Sequence, residues 1–292
     1  LLHSIRMNKT LAVEPARWHA GEQGELLAPS YRDVYASRSG AWGQAQSVFI
    51  EGCGLADHLA QHSSLRLLET GFGLGVNFLA TWAHCRSRVQ SVRLHYVSIE
   101  NHPFTREDLR IALDLMIAAA PPALASSLPA LAAQIVAAWP PLIPGFHSIP
   151  LDEQTTLTLI FGDIEHRLPA LCGKFDAFYL DGFAPDRNPA MWSERTIFRL
   201  ARLAAPGARV ASWCVAGHVR RALTAAGFSV SKRAGYGSKR ESLAAHWPEH
   251  PQPVEDMADA LIIGAGIAGA RDRKSTRLNS SHVALSRMPS SA

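Results

Sequence analysis

The chain has 292 residues, 47% of them apolar and 18% charged, with a formal net charge of +4. That length can bury a sizeable core in one domain with appendages, and no run of about 18 apolar residues is present to span a membrane. The four cysteines, Cys53, Cys85, Cys172 and Cys214, stand far apart with no CxxC pair, which excludes a disulfide scaffold or a zinc knuckle and fits a reducing, cytoplasmic setting.

The first methionine is Met7. Residues 1–6 read as upstream read-through, and Leu1–Thr10 is not a signal peptide, since it holds neither an apolar segment nor a small-residue cleavage site. Residues 1–60 read as a small β-rich cap, with strand-like runs such as Ser47–Ile50 between turns rich in Gly, Pro and Ser; Gly54–His62 then has the look of a short helix. Leu65–Glu69 is a short apolar strand that runs straight into Gly71-Phe72-Gly73-Leu74-Gly75, and Asn77–Cys85 has helical spacing. A second strand, Leu94–Glu100, ends in an acid. Phe104–Trp139 is rich in Ala and Leu and interrupted by Pro121, Pro122 and Pro129, which predicts an insertion of short helices. His147–Leu151 and Thr155–Phe161 alternate well enough for a hairpin turning at Asp152-Glu153, with Gly162-Asp163 at its end. Asp176–Leu180 is a buried strand ending at Asp181. Trp192–Leu203 reads as a helix, Arg209–Cys214 as a strand, and Val219–Ala226 as a helix closed by Gly227. Phe228–Arg233 and Glu241–Trp247 supply the last strands. Strands alternating with helices over 61–250 predict an α/β fold, a mostly parallel sheet with helices on both faces.

Residues 251–270 read as a linker and the start of something else. Asp259–Ala270 is a buried strand running into Gly264, Gly266 and Gly269, the opening of a dinucleotide-binding unit. The helix, second strand and acid that such a unit needs do not follow. Residues 271–292 are rich in Ser and Arg, lack apolar periodicity and read as a disordered tail resembling translated adapter or vector sequence. This tail carries the whole net charge. One internal stretch is distinctive: from Arg199 to Arg240 there are nine basic residues and no acid. Such a segment suits a positive face toward a polyanion, or a set of solvated helix and loop residues.

Ligands of an open α/β sheet bind beyond the carboxyl ends of its strands. Four predicted strands end in polar signals: Glu69 with its glycine loop, Glu100, Asp163 and Asp181. The glycines let backbone approach a ligand closely. A phosphate cradle carries Lys and Ser/Thr after its glycines, whereas this loop continues Val76-Asn77 and is preceded by an acid. An acidic rim favours a cation that bears hydroxyls and an amine, and S-adenosylmethionine fits that description. Glu100 is then placed for the ribose hydroxyls, Asp163 for the adenine edge, and Glu69 and Asp181 for the positive methionine end. Each acid taken alone is equally a cap or turn residue.

Other readings stay open on these residues: methyl or aminopropyl transfer to a small polyamine, a non-catalytic RNA-binding module, and a nicotinamide or flavin oxidoreductase. His58 and His62 are four apart but lack a third ligand, so no metal is expected. Neither GxSxG nor HExxH occurs.

The runs LETGFGLGVNFLATW (68–82), FGDI (161–164), DAFYLDGFAPDRNPAMW (176–192) and GYGSKRE (235–241) resemble the methyltransferase domain of the bifunctional tRNA 5-methylaminomethyl-2-thiouridine biosynthesis proteins, from about Met7 to Trp247. The resemblance implies a Rossmann-like class I S-adenosylmethionine-dependent methyltransferase. It implies methylation of the 5-aminomethyl group of a wobble 2-thiouridine, with the tRNA anticodon stem-loop as partner. In that family an FAD-dependent oxidoreductase domain follows in cis, so FAD and the oxidoreductase activity are expected to belong only to that missing domain. The cofactor site carried over comprises Tyr35, Glu69, Gly71, Phe72, Gly73, Gly75, Asn77, Glu100, Asp163 and Asp181. The segment after Gly40, AWGQAQ, departs from the family, which often has an acid there. Asp181 is the catalytic candidate, orienting the amine or also receiving its proton. Phe183 either stacks on the uracil or packs in the core. Lys239 and Arg240, extended by Arg220 and Arg221, are the expected RNA phosphate contacts.

Overall fold

A computed structural model describes residues 13–22, 24–36, 40–237 and 239–249. Residues 1–6, the linker and glycine run at 251–270 and the tail at 271–292 lie outside the described residues. The chain opens with a three-stranded antiparallel meander, β1 (His19–Ala20), β2 (Leu26–Ala28) and β3 (Asp33–Ala36). Helix α1 (Ala41–Gln44) then continues as a π-helical turn over Ala45–Ile50, followed by α2 (Leu55–Gln61). The strand expected at Ser47–Ile50 is therefore helical. Val48, Phe49 and Ile50 are all buried, and a short run buried on every side has the same composition in either state. Ala16, Leu26, Trp42 and Phe49 join the same core cluster as Leu65 and Leu67 of the main sheet, so the N-terminal segment folds onto that sheet with no core of its own.

The remaining elements are β4 (Ser64–Glu69), α3 (Val76–Arg86), β5 (Arg93–Glu100), α4 (Arg106–Ile117), α5 (Pro122–Ala125), α6 (Leu128–Ala137), β6 (Gly145–Pro150), β7 (Thr155–Phe161), α7 (Ile164–Arg167), β8 (Phe175–Leu180), α8 (Glu194–Ala201), β9 (Ala204–Ser212), α9 (Gly217–Ala225), β10 (Ser229–Ala234) and β11 (Glu241–His246). Strands β4 to β11 form one sheet in the order β10-β11-β9-β8-β4-β5-β7-β6. The five central strands are parallel, while β11, β10 and β6 each pair antiparallel with a neighbour. This is the expected α/β architecture. Its period of two is explicit: Leu67, Tyr96, Leu159 and Tyr179 enter the core on one face, and Leu68, Val97, Ile160 and Phe178 the core on the other. Strands covered on both faces must be apolar throughout, which is why their sequences read as short unbroken runs.

The prolines of the insertion start helices. Pro122 opens α5 and Pro129 sits in the first turn of α6, where a missing N–H breaks no helical bond. Thr105 caps α4 by accepting from the Asp108 N–H. Buried Trp139 ties the insertion down, its Nε1 donating to the Phe104 carbonyl at 2.9 Å. Sheet order decides where a ligand goes. The chain lays down β4, β5 and β7 toward one edge, then returns to β8 and builds toward the other. The tips of β4 and β8 therefore flank the switch point, where a crevice opens at the carboxyl ends. Among the described residues no helix is long and apolar enough to cross a membrane.

Candidate active site

Glycine suits the place where β4 and β8 emerge side by side. A Cβ on Gly71 would lie 3.1 Å from the Asp181 carbonyl oxygen. The two strand ends are also stitched by Thr70, whose hydroxyl donates to that carbonyl at 2.8 Å and accepts the Asp181 N–H at 3.1 Å. The loop then folds over the buried Phe72 ring. Gly75 takes φ +72°, and its missing Cβ leaves room for that ring. Phe72 in turn packs on Phe78 and Trp139. Glu100, at the tip of β5, closes the loop from the adjacent strand. One oxygen accepts the Gly73 N–H and the other the His102 N–H, both at 2.8 Å.

Behind the loop sits a pair of carboxylates joined by one amide. The Asn77 Nδ2 donates to Glu69 Oε1 at 2.9 Å and to Asp181 Oδ2 at 2.7 Å. Glu69 is fully buried and also accepts from the Ser98 hydroxyl at 2.8 Å. Burial first, then the nearby Asp181 charge, pushes its carboxyl well above the usual range, against the pull of Asn77 and Ser98. Burial likewise raises Asp181, opposed by the Gly182 N–H, Asn77, the Trp213 indole and the Lys239 charge. Trp213 Nε1 and the Gly182 N–H both donate to Asp181 Oδ1 at 2.8 Å.

The N-terminal meander supplies the other wall. Asp33 Oδ2 accepts the Ala184 N–H at 2.9 Å, pinning the loop after Asp181 against β3. Trp192 Nε1 holds the same loop through the Phe183 carbonyl at 2.8 Å. The Phe183 ring stacks on Tyr31 with centroids 4.1 Å apart and meets Tyr35 edge-on at 5.0 Å. Burial, followed by the Glu100 charge, raises the Tyr35 hydroxyl, which keeps it a neutral hydrogen-bonding group.

One cleft of about 800 Å³ gathers most of the expected residues: Tyr35, Gly71, Phe72, Gly73, Asn77, Glu100, Asp181 and Phe183 all line it. That volume is in the range of small-molecule sites. Glu69 is corrected from a ligand contact to a support, because its carboxylate is spent behind Asn77. Gly75 serves the turn and is not part of the lining. Asp163 also lies outside it; its carboxylate caps α7 through the Glu165 N–H at 2.8 Å and lies 3.2 Å from His166 Nδ1. The expected basic cluster is divided. Arg220 and Arg221 line a separate groove with Lys232 along α9 and β10. Arg240 lines neither, and Lys239 lies in the cleft itself. Gln44 lines the cleft in the segment where an acid was absent. Tyr31, Asp33 and Trp213 are cleft residues that the sequence reading missed. Only Asp33 carried a signal, as the first residue of the Asp-Val-Tyr run around Tyr35.

Four carboxylate residues, Glu25, Asp33, Glu100 and Asp181, line this cleft against one lysine. The loop offers backbone at close quarters and no lysine of its own. Such a donor set fits a cationic molecule with hydroxyl groups, and S-adenosylmethionine matches it: Glu100 and the glycine backbone would hold it on the β4–β5 side of the switch point.

Residues 126–248 match a family model described as S-adenosyl-L-methionine-dependent methyltransferase. The tRNA 5-methylaminomethyl-2-thiouridine biosynthesis bifunctional protein MnmC of Burkholderia multivorans is 43% identical over 267 residues, which cover 87% of this chain and 40% of that protein. The protein of the same name from Azoarcus sp. is 44% identical over 264 residues, 89% of this chain and 40% of its own length. The chain thus spans about 40% of the length of these curated relatives. Among solved structures, MNMC2 from Aquifex aeolicus superposes with a TM-score of 0.58 at 20% identity, covering 80% of this chain and 70% of that one, a likeness of fold.

Proposed function

We propose, on the premise that this chain belongs to the S-adenosyl-L-methionine-dependent methyltransferases, that it methylates the exocyclic amine of a 5-aminomethyl uridine at the wobble position of tRNA. The product class is the 5-methylaminomethyl-2-thiouridine named for its relatives. The observation that carries this reading is the position of Asp181. Its carboxylate stands at the switch point between the glycine loop and the Tyr31–Phe183 ring stack, so it borders both a donor site and an aromatic surface for a base.

When bound, S-adenosylmethionine supplies a methyl group on a positive sulfur. Everything else falls to the protein. Transfer to nitrogen needs a neutral amine aligned with the methyl carbon, and alignment is the larger part of such catalysis. Asp181 accepts one N–H of that amine, with its own oxygens fixed by Asn77, Trp213 and Gly182. Phe183 offers its face to the uracil, a common way to hold an unstacked RNA base; the ring would leave Tyr31 to do so or keep it as a second wall. The direct test is labelled methyl transfer to tRNA lacking this modification, alongside calorimetric binding of S-adenosylmethionine. Binding without transfer to that tRNA, or no binding, would refute the proposal.

The anticodon stem-loop is held, in this reading, by the groove of Arg220 and Arg221. Neither arginine has an acid nearby in the chain, and α9 carries no acid at all. Replacing both with Ala is expected to weaken RNA binding several-fold and to flatten the slope of log affinity against log salt by roughly 0.7 to 0.9 per lost contact. An unchanged slope at unchanged affinity would remove the groove from the RNA path.

A further inference from the structure

Lys239 sits apart from the arginine groove, over the ring of Trp213, with its Nζ 3.2 Å from the ring centroid. The edge of the same indole donates to Asp181 Oδ1 at 2.8 Å. One tryptophan therefore carries a cation on its face and the candidate catalytic carboxylate on its N–H. The groups facing Lys239 are Asp181 from the tip of β8, Asp33 from the start of β3 and Cys214 just after β9. Burial lowers the lysine's proton affinity, and Asp181 and Asp33 oppose that. An indole face and two carboxylates all favour the charged form.

We propose that Lys239 is a positioning residue for the acceptor: its ammonium stands beside the carboxylate that the incoming amine must use, and so drives that amine to bind in its neutral, nucleophilic form. The inference rests on the amine-methylating reading above. A lone Asp181 would act in the wrong sense, since a carboxylate stabilises an ammonium as an ammonium. A resident cation held near that carboxylate by the shared indole reverses the balance, as neighbouring cations do for activated lysines. The substrate ammonium gives one proton to solvent. The freed nitrogen lone pair then forms the bond to the methyl carbon, while the electron pair of the carbon–sulfur bond stays on sulfur. The product nitrogen carries the positive charge that the sulfur loses, so no oxidant or reductant enters.

The test compares two anticodon stem-loop RNAs, one with 5-aminomethyl uridine and one with plain uridine. Calorimetry at pH 7.5 in buffers of different ionisation heat counts protons exchanged on binding, without S-adenosylmethionine. The full chain is expected to release about one proton with the aminomethyl RNA, because the amine is charged when free and neutral when bound, and none with the plain RNA. Lys239→Met abolishes the release and moves the acidic limb of kcat upward by about one pH unit; Lys239→Arg restores both. Lys239 lines the open cleft and keeps part of its surface exposed, and an unchanged melting temperature of the variants checks that the fold is intact. Equal loss of affinity for both RNAs, with proton release and limb unchanged, overturns the inference and makes Lys239 a phosphate contact. If the unaltered chain binds both RNAs alike and methylates neither, the methyltransferase reading itself falls and the inference with it.

Discussion

Asp181→Ala is expected to lower kcat for methyl transfer by a factor on the order of 10² to 10⁴, with a much smaller change in affinity for S-adenosylmethionine. The reason is geometric. Asp181 accepts three N–H donors, from Asn77, Trp213 and Gly182, so its carboxylate is fixed before any substrate arrives. Removing it leaves the amine without its partner and frees the Trp213 indole that carries Lys239. The fold should survive, because the strand ends remain joined through the Thr70 hydroxyl and the Asp181 backbone. The donor side of the cleft depends on Glu100 and the glycine loop, neither of which touches the Asp181 side chain. Stopped-flow or single-turnover transfer measured beside calorimetric cosubstrate binding separates the two effects. Near-normal turnover would take Asp181 out of the mechanism.

The strand tips were legible from sequence and the duties of the acids at those tips were not. Leu65–Glu69 and Asp176–Leu180 fall within one residue of β4 and β8, because buried parallel strands are short apolar runs ended by a polar residue. Which way an acid points depends on the pleat and on what packs there. Glu69 follows Leu68, which enters one core, so Glu69 turns to the opposite face, beneath the first turn of α3 where Asn77 waits. Asp163 comes after Gly162, whose φ of +125° redirects the chain, and its side chain then caps α7. Neither outcome has a signature in a single strand. Tyr31 and Lys239 reach the cleft across long sequence separations, and no local period reports that. Lys239 also lay in an acid-free basic segment, where a phosphate contact was the natural reading; its actual surroundings are acids from β3 and β8.

Glu69 should dominate the fall of stability with rising pH. Its carboxyl is held well above its ordinary value of 4.5, chiefly by burial and secondly by Asp181. Between that ordinary value and the folded one, the unfolded chain has lost a proton that the folded chain keeps. The stabilisation is therefore complete below about pH 4.5 and declines as pH rises through that window, by about 1.4 kcal/mol per pH unit. Asp181, also raised by burial, contributes in the same sense. Glu69→Gln removes the larger part while preserving the Asn77 and Ser98 contacts: its carbonyl accepts from Asn77, and its amide donates to the Ser98 hydroxyl, which can act as acceptor. The expected result is a flatter dependence of melting temperature on pH above about 4.5, with Asn77 still positioned and turnover little changed. Glu69→Ala, by contrast, leaves one N–H of the Asn77 amide and the Ser98 hydroxyl without their acceptor in a fully buried site, which costs about 1–3 kcal/mol for each unsatisfied group. That variant should lose stability and turnover together, since Asn77 is also a donor to Asp181. Parallel pH profiles for the unaltered chain and Glu69→Gln would mean that Glu69 is ionised in the folded protein, and Asn77 would then bridge two charged carboxylates.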